Sequence, residues 1–382
     1  MVNKINSVSS VSDRAELQRF ARLTVFLVAL NVMAFYYYGY RAVIISLLSV
    51  GVSLLTEYIC CTLTGKKFDI KDTSPVVSAM ILALLMPASV SYMVVAFASA
   101  FMISVCKFAF GGNNNLIFSP AAVAYAFSAL TWSNNVLRFP SPVPFGQLPL
   151  WTEVTDGLSY SFTHYADISL SSASYLDIIW GKLSGPMGTM SVVIIIICAV
   201  SLYFFRDIPG TVLFSGVAVN VLLFVIFPLT ATGWTAVIYA MTTGSFMFVL
   251  VFMACDFRFA PKRAFAQILY GGIFALLSYL LRRFSGLETA AIFSLLIVSI
   301  FSAELDKLDV QLTRLIYFLR KKIGSFIVYV GKRTKSGQTD LTDRNAEPLS
   351  SGADQPGDDS ENAGNIAGSD EAASGLKPES AG

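Results

Sequence analysis

The sequence predicts an all-α integral membrane protein of about ten transmembrane helices with both termini in the cytoplasm. Three observations carry that prediction. Of the 382 residues, 55% are hydrophobic and only 14% are charged, whereas soluble domains carry about 25% charged residues. Apolar runs long enough to span a bilayer recur along the chain. The stretch Ile208–Cys255 contains no charged residue at all, which excludes burial in a soluble core. The 30 phenylalanines suit lipid-facing and interfacial positions.

The elements follow in chain order. Residues 1–22 are polar and mixed in charge, with no short apolar core and small-residue cleavage pattern after them. They are read as a cytoplasmic segment, and the run that follows as a retained span. Thr73–Cys106 and Ile208–Cys255 are each too long for one helix in a hydrocarbon core about 30 Å thick. They divide near Pro87-Ala88-Ser89 and after Pro228. The spans are then 23–40, 42–62, 73–88, 91–109, 118–134, 187–205, 210–227, 236–254, 264–281 and 287–304, a membrane domain over 23–306. Residues 307–335 mix Leu, Ile, Phe and Tyr with Lys307, Arg314, Arg320, Lys321 and Lys322, as a helix lying on an anionic leaflet would. Residues 336–382 are rich in Gly, Ser, Asp and Glu and nearly free of aromatics, the composition of a disordered acidic tail.

Lys and Arg orient the spans. They cluster in the N-terminal segment (Lys4, Arg14, Arg19, Arg22) and after span 2 (Lys66, Lys67, Lys71). They recur at Lys107, at Arg206, at Arg258, Lys262 and Arg263, and after span 10. The alternate connections at 87–90 and 228–235 carry no charge. The polar loop 135–186, with the chain's single histidine (His164), is therefore extracytoplasmic. Arg282 and Arg283 break the pattern and must snorkel or pair with Glu288. Cys60, Cys61, Cys106, Cys198 and Cys255 lie in or beside apolar runs without metal-ligand spacing, so no metal site is expected. No nucleic-acid partner is expected either.

Three stretches resemble one family. FMACD (252–256), Lys262-Arg263 and Tyr270-Gly271 stand in the register of a Phe-Met-Ala-Thr-Asp run, a short polar loop, a basic residue and a Tyr-Gly pair that opens the next helix. Cys255 takes the place of the threonine. Lys107, Gly111, Gly112, Phe118, Pro120 and Ala121 match a second motif, with Ser119 in place of asparagine. KDTSPVVSAMILALLMP (71–87) resembles the opening of that family's third span. In this order, over about residues 15–306, the chain is similar to the D subunit of the Rnf complex, an ion-translocating ferredoxin:NAD oxidoreductase. It is also similar to that protein's relative, the B subunit of the sodium-pumping NADH:quinone oxidoreductase. The short N-terminal segment favours the Rnf protein.

The resemblance implies a membrane subunit that carries electrons through FMN, coupled to Na+ or H+ transport, in the bacterial cytoplasmic membrane. Its partners would be the other subunits of the complex, the bilayer and a quinone. In the family FMN is joined through its phosphate to a threonine hydroxyl in an Asp-x-x-[Ser/Thr]-Gly-Ala-Thr pattern. Asp156 and Ser159 match its start, and Thr163 is the candidate for attachment, with Ser174 as the alternative. Tyr160 and Ser161 replace the small pair. Among the residues themselves, Glu57 and Lys107 are ionisable within spans, where charge is costly and usually functional, although both sit close enough to span ends to snorkel. Asp72 and Asp256 stand at helix ends near Lys71 and Lys262, where they either neutralise the helix ends or, with Glu57, shape an ion, quinone or electron path; Lys107, Gly111 and Gly112 are further candidates for holding the flavin. Gly111 and Gly112 form either a helix break lining a polar cavity or a plain turn. Two other readings remain open: a flavin-free scaffold or ion-path subunit of an electron-export complex, and a secondary transporter.

Overall fold

The computed structural model describes residues 2–65, 72–109, 116, 118–142, 145, 148–152, 154, 158–160, 180, 184–228, 237–238 and 241–314. Met1–Ile316 make one compact unit. The helices are α1 (Val2–Tyr38), α2 (Tyr40–Leu63), α3 (Ser74–Leu85), α4 (Tyr92–Phe101), α5 (Pro120–Thr131), α6 (Ser133–Val136), α7 (Val192–Phe204), α8 (Gly210–Ile226), α9 (Phe246–Val249) and α10 (Ala264–Ser285). A last helix, α11, covers 290–314.

Four helical stretches are long and apolar enough to cross a membrane: Glu16–Tyr38, Tyr40–Leu63, Tyr92–Ala109 and Ala264–Ser285. Their outward faces carry large exposed apolar side chains such as Val25, Leu47, Leu55 and Ile268, a surface that suits lipid. α3, α5, α7 and α8 are apolar but shorter. With 12 residues each, α3 and α5 rise only about 18 Å. Both begin with proline at the first helical turn, at Pro75 and Pro120, where the missing N–H costs nothing. α3 is buried on every side, as a helix inside the bundle must be.

Irregular backbone survives at membrane depth only where other groups satisfy its polar atoms. Two breaks buried in the bundle have their polar atoms satisfied in this way. Between α3 and α4, Arg41 at the head of α2 donates to the carbonyls of Ala88 (2.7 Å), Ser89 (3.4 Å) and Val90 (3.1 Å). Ahead of α9, Arg282 donates to the carbonyl of Thr243 (3.4 Å) and to its hydroxyl, while Ser245 donates from backbone and side chain to the Glu288 carbonyl. Gly244 sits there at φ 76°, and a Cβ on it would lie 3.0 Å from the Glu288 carbonyl, so only glycine fits. Arg282 is thus a buried stitch in the fold.

α8 and α10 pack backbone against backbone. A Cβ on Gly271 would lie 2.6 Å from the Val212 carbonyl and 3.1 Å from the Gly216 amide, and one on Gly216 would lie 2.9 Å from Leu250. Small residues at a helix crossing allow this approach, which accounts for the Tyr270-Gly271 pair. The described part of loop 135–186 contains a short two-stranded ribbon, β1 (Arg138–Pro140) and β2 (Leu158–Tyr160), antiparallel, with Phe139 opposite Ser159. The loop is tied to the Arg41 end of the bundle. Arg41 also donates to the carbonyls of Pro149 and Thr152, and Tyr92 to that of Leu150.

Candidate functional site

Two helices change pitch as they reach the opposite end. α4 continues as a π-helix over Met102–Ala109, and α9 as a π-helix over Leu250–Ala254, closed by the Cys255 amide on the Leu250 carbonyl at 3.0 Å. Widened turns of this kind recur at functional sites because they shift a side chain out of the α register. The first carries Lys107; the second delivers Cys255 and Asp256 to the start of a turn.

Lys107 is only 5% exposed and Glu57 only 6%, so neither snorkels. Lys107 Nζ lies 2.5 Å from Glu57 Oε1 and 3.0 Å from Asp72 Oδ2. The other carboxylate oxygen of Asp72, Oδ1, accepts the Ser74 amide at 2.9 Å and so helps to open α3. The Ser74 hydroxyl lies 3.1 Å from Arg258 Nη1. Arg258 in turn grips Asp256, at 2.6 Å between Nη2 and Oδ2, and it too is largely buried. The two π-turns and the head of α3 therefore meet in one continuous chain, Glu57–Lys107–Asp72–Ser74–Arg258–Asp256. Beside it the hydroxyls of Ser53 and Thr73 are buried without a hydrogen-bond partner among the described residues. Taking such charges out of water costs several kcal/mol per ion before pairing offsets it.

Of the residues singled out in the sequence, the structure joins Glu57, Lys107 and Asp72 directly and adds Asp256 through Ser74 and Arg258. Asp256 pairs with Arg258 two positions on. Lys262 instead gives its backbone amide, like Arg263, to Asp306 at 3.2 to 3.3 Å. Lys262 was the partner expected from the sequence, yet Arg258 stands nearer to Asp256 in the chain, and that proximity was its signal. Arg41 was also missed. A lone arginine at the head of an apolar run was its signal. Gly111, Gly112, Asp156, Thr163 and Ser174 lie outside the described residues. Of Ser159 only the backbone is described, in β2.

Arg19 and Arg22, read as topology signals, are also built into the fold. Arg22 makes a two-pronged contact with Asp207 (2.6 and 2.7 Å), and Arg19 stands 3.7 Å from the same carboxylate. This fastens α1 to the turn between α7 and α8.

Apolar helices with lipid-suited faces, interrupted spans stitched by buried arginines, and a buried ionic chain at one end define a polytopic membrane protein of the kind that moves charge. Comparison with known proteins narrows the class. The chain belongs to the NQR2, RnfD, RnfE family, whose model matches residues 4–313. It is 25% identical over 270 residues to the D subunit of the Na(+)-translocating ferredoxin:NAD(+) oxidoreductase complex of Acetobacterium woodii, covering 70% of this chain and 81% of that protein. Identity to the D subunit of the ion-translocating oxidoreductase complex of Shewanella piezotolerans is 23% over 305 residues, 71% of this chain and 86% of that one. For the protein of the same name from Methanosarcina acetivorans it is 22% over 262 residues, 68% and 78%.

Proposed function

We propose that this chain is the D-type membrane subunit of an Rnf-type ion-translocating oxidoreductase complex, and that the Glu57–Lys107–Asp72 cluster lies on its ion path. One observation carries the second half. The three stretches that resemble the family, far apart in sequence, supply Asp72, Ser74, Lys107, Asp256 and Arg258, which join with Glu57 of α2 in a single, largely buried ionic chain. Burying charge in a membrane protein is costly, and the groups that bear that cost usually serve transport. Lys107 sits between two carboxylates, so a cation or proton arriving at either one displaces it toward the other.

The chain works in the bacterial cytoplasmic membrane with both termini inside, through ten passes made from full spans and interrupted ones, together with the other subunits of the complex. FMN is its redox group, joined at Thr163 or Ser174 of the segment 135–186. When bound, FMN supplies transfer of one or two electrons. The protein's described share in that loop is anchorage, through Arg41, Tyr92 and the β1–β2 ribbon.

The test is to express the chain with its genomic partners and purify the complex through a tag on this protein. Co-purification of the partners with ferredoxin:NAD oxidoreductase activity is expected; a chain that purifies alone and moves a solute alone in liposomes sinks the assignment. In inverted vesicles the Lys107→Met complex is expected to lose ion uptake while still assembled. Flavin fluorescence at the mass of this chain in a denaturing gel, abolished by Thr163→Ala or by Ser174→Ala, tests the attachment.

A further inference from the structure

Two cavities adjoin where the C-terminus of α7 meets the N-termini of α8 and α10. The first, about 310 Å³, is polar, and Arg19, Arg206, Asp207 and Lys262 are among its lining. The second, about 580 Å³, is mostly apolar and lies against Tyr203, Phe214 and Ile268. Pro209 and Gln267 line the first, and their chain neighbours Gly210 and Ile268 line the second. A charged chamber thus opens onto a greasy groove between helices, at the depth where a span meets the membrane surface. α10, which carries Ile268, is long enough to cross a membrane.

The charge in the chamber has one sign to spare. Three cations line it against one carboxylate, Asp207, and both oxygens of that carboxylate accept from Arg22. The nearby Asp306 is occupied by the amides that open α10.

Arg206 adds a second, independent sign. It stands at φ 57°, in the left-handed position just past the end of α7. There the Asp207 amide reaches back to the Leu202 carbonyl and the Arg206 amide to that of Tyr203. Helices that end this way strongly prefer glycine at that position. An arginine held there against its backbone preference points to a use for its charge.

We propose that this is a binding site for an anionic phospholipid. The phosphodiester sits among Arg19, Arg206 and Lys262, and one acyl chain runs along the groove over Tyr203, Phe214 and Ile268. The polar chamber suits the headgroup, and the groove supplies what a free phosphate cannot use. None of Glu57, Lys107 and Asp72 lines the chamber, and lipid binding there does not depend on the redox role.

Native mass spectrometry of the full chain in detergent tests it, with phosphatidylglycerol, phosphatidylcholine of the same acyl chains, and inorganic phosphate as probes. Phosphatidylglycerol is expected to bind well above phosphatidylcholine, and Arg206→Gly and Lys262→Gln each to weaken it about fivefold. Arg206→Gly relieves the left-handed backbone, so its melting temperature is expected not to fall, which separates lost binding from lost fold. Arg283→Gln, on the other end of α10, should leave binding unchanged. Equal affinity for the two lipids, or undiminished phosphatidylglycerol binding in the Arg206→Gly, Lys262→Gln double variant, overturns the proposal. So does millimolar inorganic phosphate displacing the lipid, since that marks a site for the free anion.

Discussion

Arg41 and Lys107 are both cations buried in the bundle, and they are satisfied by different kinds of partner. Arg41 heads α2 and gives five hydrogen bonds to main-chain carbonyls, three in the break after α3 and two in loop 135–186. Lys107 meets α2 some 16 residues further along, about 24 Å away, and its partners are the carboxylates of Glu57 and Asp72. Carbonyls carry no net charge and cannot change protonation, so the Arg41 end is fixed in one arrangement. Carboxylates can exchange their counter-ion, so the Lys107 end has alternatives. In a membrane the cost of burying a cation is met in one case by holding a backbone break and, on the proposed ion path, by keeping a charge exchangeable in the other.

The sharpest way to break that contrast is a pair of substitutions with matched rescue. Arg41→Met strands several buried carbonyls at about 1–3 kcal/mol each, and no second side-chain change can restore them. Loss of monodisperse protein, or a collapse in melting temperature, is expected. Lys107→Met leaves Glu57 buried without its counter-ion, a loss of about 3–5 kcal/mol. Adding Glu57→Gln removes the stranded charge and should recover most of the melting temperature but none of the ion uptake. If Arg41→Met melts like the parent, or if the Lys107→Met, Glu57→Gln pair transports ions normally, the two ends do not divide the work in this way.

Gly271 lies between the two ends and tests whether packing alone can imitate either phenotype. Gly271→Leu drives a side chain into the Val212 carbonyl and the Gly216 amide. Overpacking of this kind costs about 1–3 kcal/mol. The expected result is a lower melting temperature with an unchanged ratio of ions moved per electron in the protein that remains folded. A changed ratio would mean that the α8–α10 crossing is part of the ion path.

How much of this was legible in the sequence follows the same division. Glu57 and Lys107 stood out because charge is rare inside apolar runs, Asp72 because it opens such a run and Asp256 because it closes one. Their convergence was not legible: Asp72 and Asp256 are joined through Ser74 and Arg258, and no periodicity encodes that contact. The π-turns were hidden too, since an apolar run reads alike at 3.6 residues per turn and at a wider pitch. The expected spans 73–88, 118–134 and 236–254 include irregular backbone because its residues are as apolar as the helices beside it. Arg41 escaped notice as one more charge at a helix head; only the fold reveals the carbonyls that it holds. The Gly271 match, by contrast, was visible as a motif before its cause, the tight crossing with α8, was known.

The smallest expected effect probes the ionic end at its edge. Asp306 on α11 accepts the amides of Lys262 and Arg263 as α10 begins, a negative charge at the positive end of a helix. Asp306→Asn keeps an acceptor and removes the charge, so a loss of only about 0.3–1 kcal/mol is expected, read as a small drop in melting temperature that shrinks further in high salt. Ion uptake should hold, because Asp306 caps a helix and takes no part in the chain from Glu57 to Asp256. Were Asp306→Asn to stop ion uptake, the exchangeable end would have to extend through Lys262 to α11, and the residues from Glu57 to Asp256 would be only its inner half.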